Sequence, residues 1–95
     1  MNKFDVAYIQ HKGVDLIIIP LKSSFGRKTT TEQNQTAAAL QSYASVAGLA
    51  GTVVPIWDAG GRRMGFLAPS KWSAFFQSID LTFVSRNINR QLICR

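Results

Sequence analysis

Val14-Asp15-Leu16-Ile17-Ile18-Ile19-Pro20-Leu21-Lys22 is the stretch that decides the fold. Its centre, Leu16–Ile19, is continuously apolar, β-branched and of strand length. An apolar run without alternation describes a strand covered on both faces. Pro20 stops it far short of the ~20 apolar residues that a membrane-spanning helix requires. A sheet buried on both sides needs a helical layer against it, so the chain reads as α/β.

Upstream, Phe4–Ile9 alternates weakly and reads as the partner strand of a β-hairpin. His11-Lys12-Gly13 forms the turn between them, with His11 exposed in it. Asp15 reads as a strand-end surface carboxylate, or as a helper of Asp5 in another register. Downstream, Ser23–Lys28 is a polar loop. Thr29-Thr30-Thr31-Glu32-Gln33 then offers overlapping capping boxes, Thr29 with Glu32 or Thr30 with Gln33. Ala37, Leu40, Ala44 and Ala47 recur at helical spacing, and Gly48 and Gly51 supply C-terminal stops. The spacing predicts a helix over 31–48 with Leu40 on its apolar stripe. Gln33, Gln35, Gln41, Ser42 and Ser45 give it an amide-and-hydroxyl face, either solvated or set against another subunit.

Thr52–Trp57 reads as a strand, with Pro55 implying an edge or a strand end. Asp58–Gly61 turns the chain and Arg62–Ala68 returns it as a second hairpin. After Pro69, a short helix carries Trp72, Phe75, Phe76 and Ile79 on one stripe. Leu81, Val84, Ile88 and Leu92 fit a last helix, with Arg86 and Arg90 together on another face. The predicted order is β-β-α-β-β-α-α around a mixed four-stranded sheet. Trp57, Trp72, Phe75 and Phe76 read as core, because a small domain needs its large side chains inside. The same rings offer surface for stacking bases.

The 95 residues make one domain, residues 1–95. Eleven Lys and Arg against five acidic residues give a net charge of +6, which favours polyanionic partners such as DNA or RNA. Lys22, Arg27 and Lys28 bracket the polar loop, and Arg62 and Arg63 form the tip of the second hairpin. All five are candidate nucleic-acid contacts. Cys94 is the single cysteine and has no internal disulfide partner. Met-Asn-Lys-Phe-Asp lacks an apolar signal core. A cytoplasmic address without a membrane partner is therefore expected by elimination. Zinc spacing, a glycine-rich phosphate loop and a Ser/His/Asp set are all missing from the sequence.

The first half resembles the PD-(D/E)XK nuclease superfamily, in particular the archaeal Holliday-junction resolvase type. In that type a strand bearing Asp turns into an apolar strand ending Glu-x-Lys, followed by a polar loop and a helix that opens with Gln. Phe4-Asp5-Val6-Ala7-Tyr8-Ile9 matches the first strand and Leu16–Lys22 the second. Thr31-Glu32-Gln33 matches the helix start, and Thr52–Trp57 with Met64–Ala68 the next pair of strands. The resemblance implies a restriction-endonuclease-like core, Asp5 as metal ligand, Lys22 as the residue that steers the nucleophile, and a homodimer. Phosphodiester hydrolysis in such a site uses hard cations held by carboxylates on adjacent strands.

Two departures stand against an active site. Pro20 occupies the position of the metal-binding Glu, and proline offers no ligand. The chain also starts three residues before its first predicted strand, so the preceding helix and its Glu are expected to be missing. Glu32 either relocates the lost carboxylate to the helix start or completes the cap with Thr29. The sequence therefore supports a nucleic-acid-binding protein with a nuclease-like fold, an inactive metal site and no cofactor. Alternatives are a small protein-interaction or oligomerisation module, and an active Mg²⁺-dependent endonuclease using Asp5, Lys22 and Glu32.

Overall fold

The computed structural model describes residues 2–61 and 63–94. The chain opens with β1 (Asn2–His11), β2 (Val14–Pro20), a 3-10 turn at Ser23–Arg27, and α1 (Thr30–Val46). It continues through β3 (Thr52–Gly60), β4 (Arg63–Phe66) and a second 3-10 turn at Ser70–Trp72. The last elements are α2 (Ser73–Ser78), α3 (Leu81–Arg86) and β5 (Arg90–Cys94). One mixed sheet has the order β4-β3-β2-β1-β5. β2 and β3 are parallel and the other neighbours antiparallel.

The apolar run behaves as its pattern dictates. Leu16, Ile17, Ile18 and Ile19 are all fully buried in β2, the central strand of the five. Ile17 and Ile19 face α1 together with Val6, Leu40 and Ala44. Leu16 and Ile18 face the other layer with Ala7, Trp72, Phe76 and Val84. Alternate side chains of one strand thus feed two separate cores.

Between β1 and β2, Lys12 and Gly13 take φ of 51° and 78°. Positive φ at both central positions is the two-residue type I′ turn, whose twist matches the flanking strands. His11 is therefore the last residue of β1, paired with Val14, rather than an exposed turn residue. It is half-buried and its ring stacks on Phe75 at 4.1 Å. Asp15 pairs with Gln10, five positions along β1 from Asp5, so the two carboxylates lie apart.

Thr29 and Glu32 form the capping box that starts α1. The Thr29 side chain accepts from the Glu32 N–H, and the Glu32 carboxylate accepts from the Thr29 N–H. The predicted amide face is divided. Gln33 turns inward and donates to the Phe25 carbonyl at 3.0 Å. Gln41 bridges to β3, donating to the Gly51 carbonyl at 3.1 Å and accepting from Val53 N–H at 2.9 Å. Gln35, Ser42 and Ser45 remain exposed.

Two expectations are corrected. Pro55 lies in β3, which is an interior strand and not an edge. It is tolerated because the β3–β4 ladder stops there. Its carbonyl accepts from Leu67 N–H just past the end of β4, and the return bond of that pair, which proline cannot donate, is where the ladder ends. The helical spacing of Leu81–Leu92 holds only as far as Arg86. Asn87 closes α3, its amide donating to the Phe83 carbonyl at 2.7 Å.

Asn89 then substitutes for a strand residue. Its side chain accepts from Tyr8 N–H at 2.8 Å and donates to Tyr8 carbonyl at 2.9 Å. Its own N–H donates to the Val6 carbonyl at 3.0 Å. Pinned to the outer edge of β1, the chain continues as β5, so the sheet has five strands rather than four. Arg86 and Arg90 fall on different elements. No helix among the described residues is long and apolar enough to cross a membrane.

Candidate nucleic-acid interface

In open α/β sheets, ligands bind outside the carboxyl ends of parallel strands. The carboxyl ends of β2 and β3 lie at Pro20 and Gly60, and the clefts gather there. The first, about 560 Å³, is lined by Lys3, Phe4, Asp5, Pro20, Lys22 and Lys28 among others. A second of about 420 Å³ lies across the Ser23–Arg27 turn, between Arg27, Trp57 and Asp58. The third, about 290 Å³, runs under α3 and shares Asp5 and Pro20 with the first.

The fold accounts for this convergence. Ala7 pairs with Ile18, and continuing that register brings Asp5 opposite Pro20. β2 ends at Pro20, and Leu21 is tied to β3 through its N–H to the Ile56 carbonyl at 2.7 Å. Lys22, still extended at φ −65° and ψ 151°, leads into the 3-10 turn that carries Arg27 and leads on to Lys28. Phe25 anchors that turn: it is buried and meets Trp57 edge-on at 5.1 Å.

Asp5 and Lys22 therefore both line the first cleft, and Lys28 lines it as well. Asp5 is exposed, and its carboxylate accepts from the Gln91 amide at 3.4 Å. Arg27 lines the neighbouring cleft, while Arg63 pairs with Gly60 on its lip. Arg62 lies outside the described residues. Glu32 does not line the cleft that holds Asp5; its carboxylate is taken up by Thr29. Among the described residues, no three His, Cys, Asp or Glu side chains group as a metal site would. Lys3, two positions before Asp5 on the same strand face, was legible from β periodicity but is singled out only by the structure.

Hydrogen bonding by the Thr29 backbone N–H, then by its hydroxyl, holds the Glu32 carboxyl below its usual range, with Lys28 adding to the effect. A depressed carboxyl pKa contributes stability above the unfolded value, and that contribution is lost as pH falls through the folded one. Glu32→Gln is therefore expected to melt below wild type at neutral pH, with the gap closing under acid. Melting curves across pH 7 to pH 3 check this; a gap that stays constant would show that the charge of Glu32 does not matter.

Comparison with known proteins finds no matching family model, no matching curated protein and no matching solved structure.

Proposed function

We propose that this chain is a nucleic-acid-binding protein with a restriction-endonuclease-like core and an inactive metal site. The observation that carries the reading is that Lys3, Lys22 and Lys28 line, together with Asp5, one cleft at the carboxyl end of β2, with Arg27 in the neighbouring cleft. Such a cationic end neutralises phosphates and binds through counterion release. The inactive site follows from Pro20 at the second carboxylate position and from Glu32 being engaged as a cap. A lone Asp5 holds hydrated Mg²⁺ poorly, since these sites combine carboxylates with substrate phosphate.

Titration against duplex, single-stranded and branched DNA at low and moderate salt tests the reading. Affinity is expected to fall steeply with salt, and the Lys22→Gln/Lys28→Gln double variant to flatten the log–log salt slope by about 2. No binding at low salt would overturn it. Mg²⁺-dependent cleavage lost in Asp5→Ala would overturn the inactive half. A protein-interaction module is the second reading. Val46, 89% exposed, favours it, because it shares a shallow groove with Tyr43 and Ile93 beside the outer edge of β5.

A further inference from the structure

The hairpin end of β1, remote from the clefts above, has its own chemistry. A cavity of about 460 Å³ lies between the β1–β2 turn and α2, lined by His11, Lys12, Lys71, Trp72 and Phe75 among others. His11 and Phe75 stack at 4.1 Å with their planes 27° apart, and Trp72 meets His11 edge-on at 5.7 Å. Lys12 and Lys71 are exposed on its rim, and the Lys71 ammonium stands 5.6 Å from the Trp72 ring centre. The Trp72 indole N–H is buried and finds no acceptor among the described residues, and Trp72 itself is only 7% exposed. A buried indole N–H ordinarily finds a partner, because leaving it unmade costs free energy.

We propose that this cavity binds one unstacked base of a single-stranded nucleic acid. The proposal rests on the nucleic-acid reading above and adds a second subsite to it. A half-buried aromatic stack between two cations is the arrangement that single strands need. The base continues the stack while the ammonium groups meet the flanking phosphates. Duplex DNA keeps its bases stacked internally and gains nothing here. His11 lies six positions along β1 from Asp5, about 20 Å at strand rise, so the two subsites can be altered separately.

The test compares a short oligodeoxythymidylate with a duplex of equal length, using wild type, His11→Ala, His11→Phe, Lys71→Gln and Lys22→Gln/Lys28→Gln. His11→Ala and Lys71→Gln are expected each to weaken single-strand binding about ten-fold while leaving duplex binding within two-fold. His11→Phe, which keeps an aromatic ring, is expected to retain single-strand affinity. Equal loss of duplex binding, or no loss of single-strand binding in a Lys71→Gln protein of unchanged melting temperature, would overturn the subsite. In that case duplex binding sensitive to Lys22 and Lys28 leaves the broader reading standing. A wild type that binds neither probe would overturn both.

Discussion

Leu40→Asp is expected to abolish the folded state at room temperature. Leu40 is 3% exposed and packs from α1 onto Val6, Ile17, Ile19 and Leu92, with no polar partner in that cluster. A carboxylate there is buried without a partner, or is protonated at comparable cost, and loses the leucine's packing as well. The combined penalty is several kcal/mol, on the scale of the whole stability of a small domain. Gln41→Ala is the informative neighbour. Sequence pattern places Gln41 on a face either solvated or set against another subunit, where truncation should be nearly silent for folding, but the side chain holds Val53 N–H and the Gly51 carbonyl. Its loss leaves a partly buried backbone donor unpaired and is expected to cost about 1–2 kcal/mol. Denaturant titration of both variants separates the cases. A soluble, cooperatively melting Leu40→Asp would refute the assigned helix phase, and a silent Gln41→Ala would refute the bridge.

Gly65→Ala is expected to destabilise the protein although alanine suits a strand better than glycine. Trp57 and Gly65 are paired across β3 and β4, and a methyl group on Gly65 would overlap the indole ring directly. Gly26, in the 3-10 turn, leaves no more room: a methyl group there also runs into the Trp57 indole. Two glycines thus make the space in which the indole lies as a wall of the second cleft. Overpacking of this kind costs about 1–3 kcal/mol, and the indole must move outward to relieve it. The measurement is a double-mutant cycle with Trp57→Ala, read by denaturant unfolding and, in the Trp57 proteins, by tryptophan emission. Strong coupling with a red-shifted emission is expected. Additive effects would mean that the ring and the glycine are energetically independent.

What could be read from the sequence was what depends on near neighbours. Leu16–Ile19 announced a strand with two covered faces, and Thr29 with Glu32 announced the start of α1. The mixed α/β class followed from those two features. The last strand was hidden because its deciding bond joins Asn89 to Tyr8, 81 residues apart in sequence. No local pattern reports such a pairing, while the helical spacing of Leu81, Val84 and Ile88 was real as far as α3 extends. A short alternation was nevertheless present, since Leu92 is buried between exposed Gln91 and Ile93. His11 was misread for a similar reason. Its place in β1 depends on the turn closing in two residues, and its partner Phe75 comes from a distant element. At the site, Asp5, Lys22 and Lys28 were visible as residue types beside strand ends. Lys3, and the choice of Glu32 between capping α1 and lining the cleft, depended on packing that sequence does not report.

The pairing of β1 with β5 also sets an order of events during synthesis. β1 finds β2 soon after both are made, through the two-residue turn, but its other edge waits for residues synthesised much later. At about 5–20 residues per second, the 81-residue separation between Tyr8 and Asn89 corresponds to roughly 4–16 s on the ribosome. Throughout that interval Val6 and Tyr8 present unpaired backbone groups along an open strand edge, the surface that recruits stray strands. A ribosome stalled before Asn89 thus holds a sheet that still lacks β5.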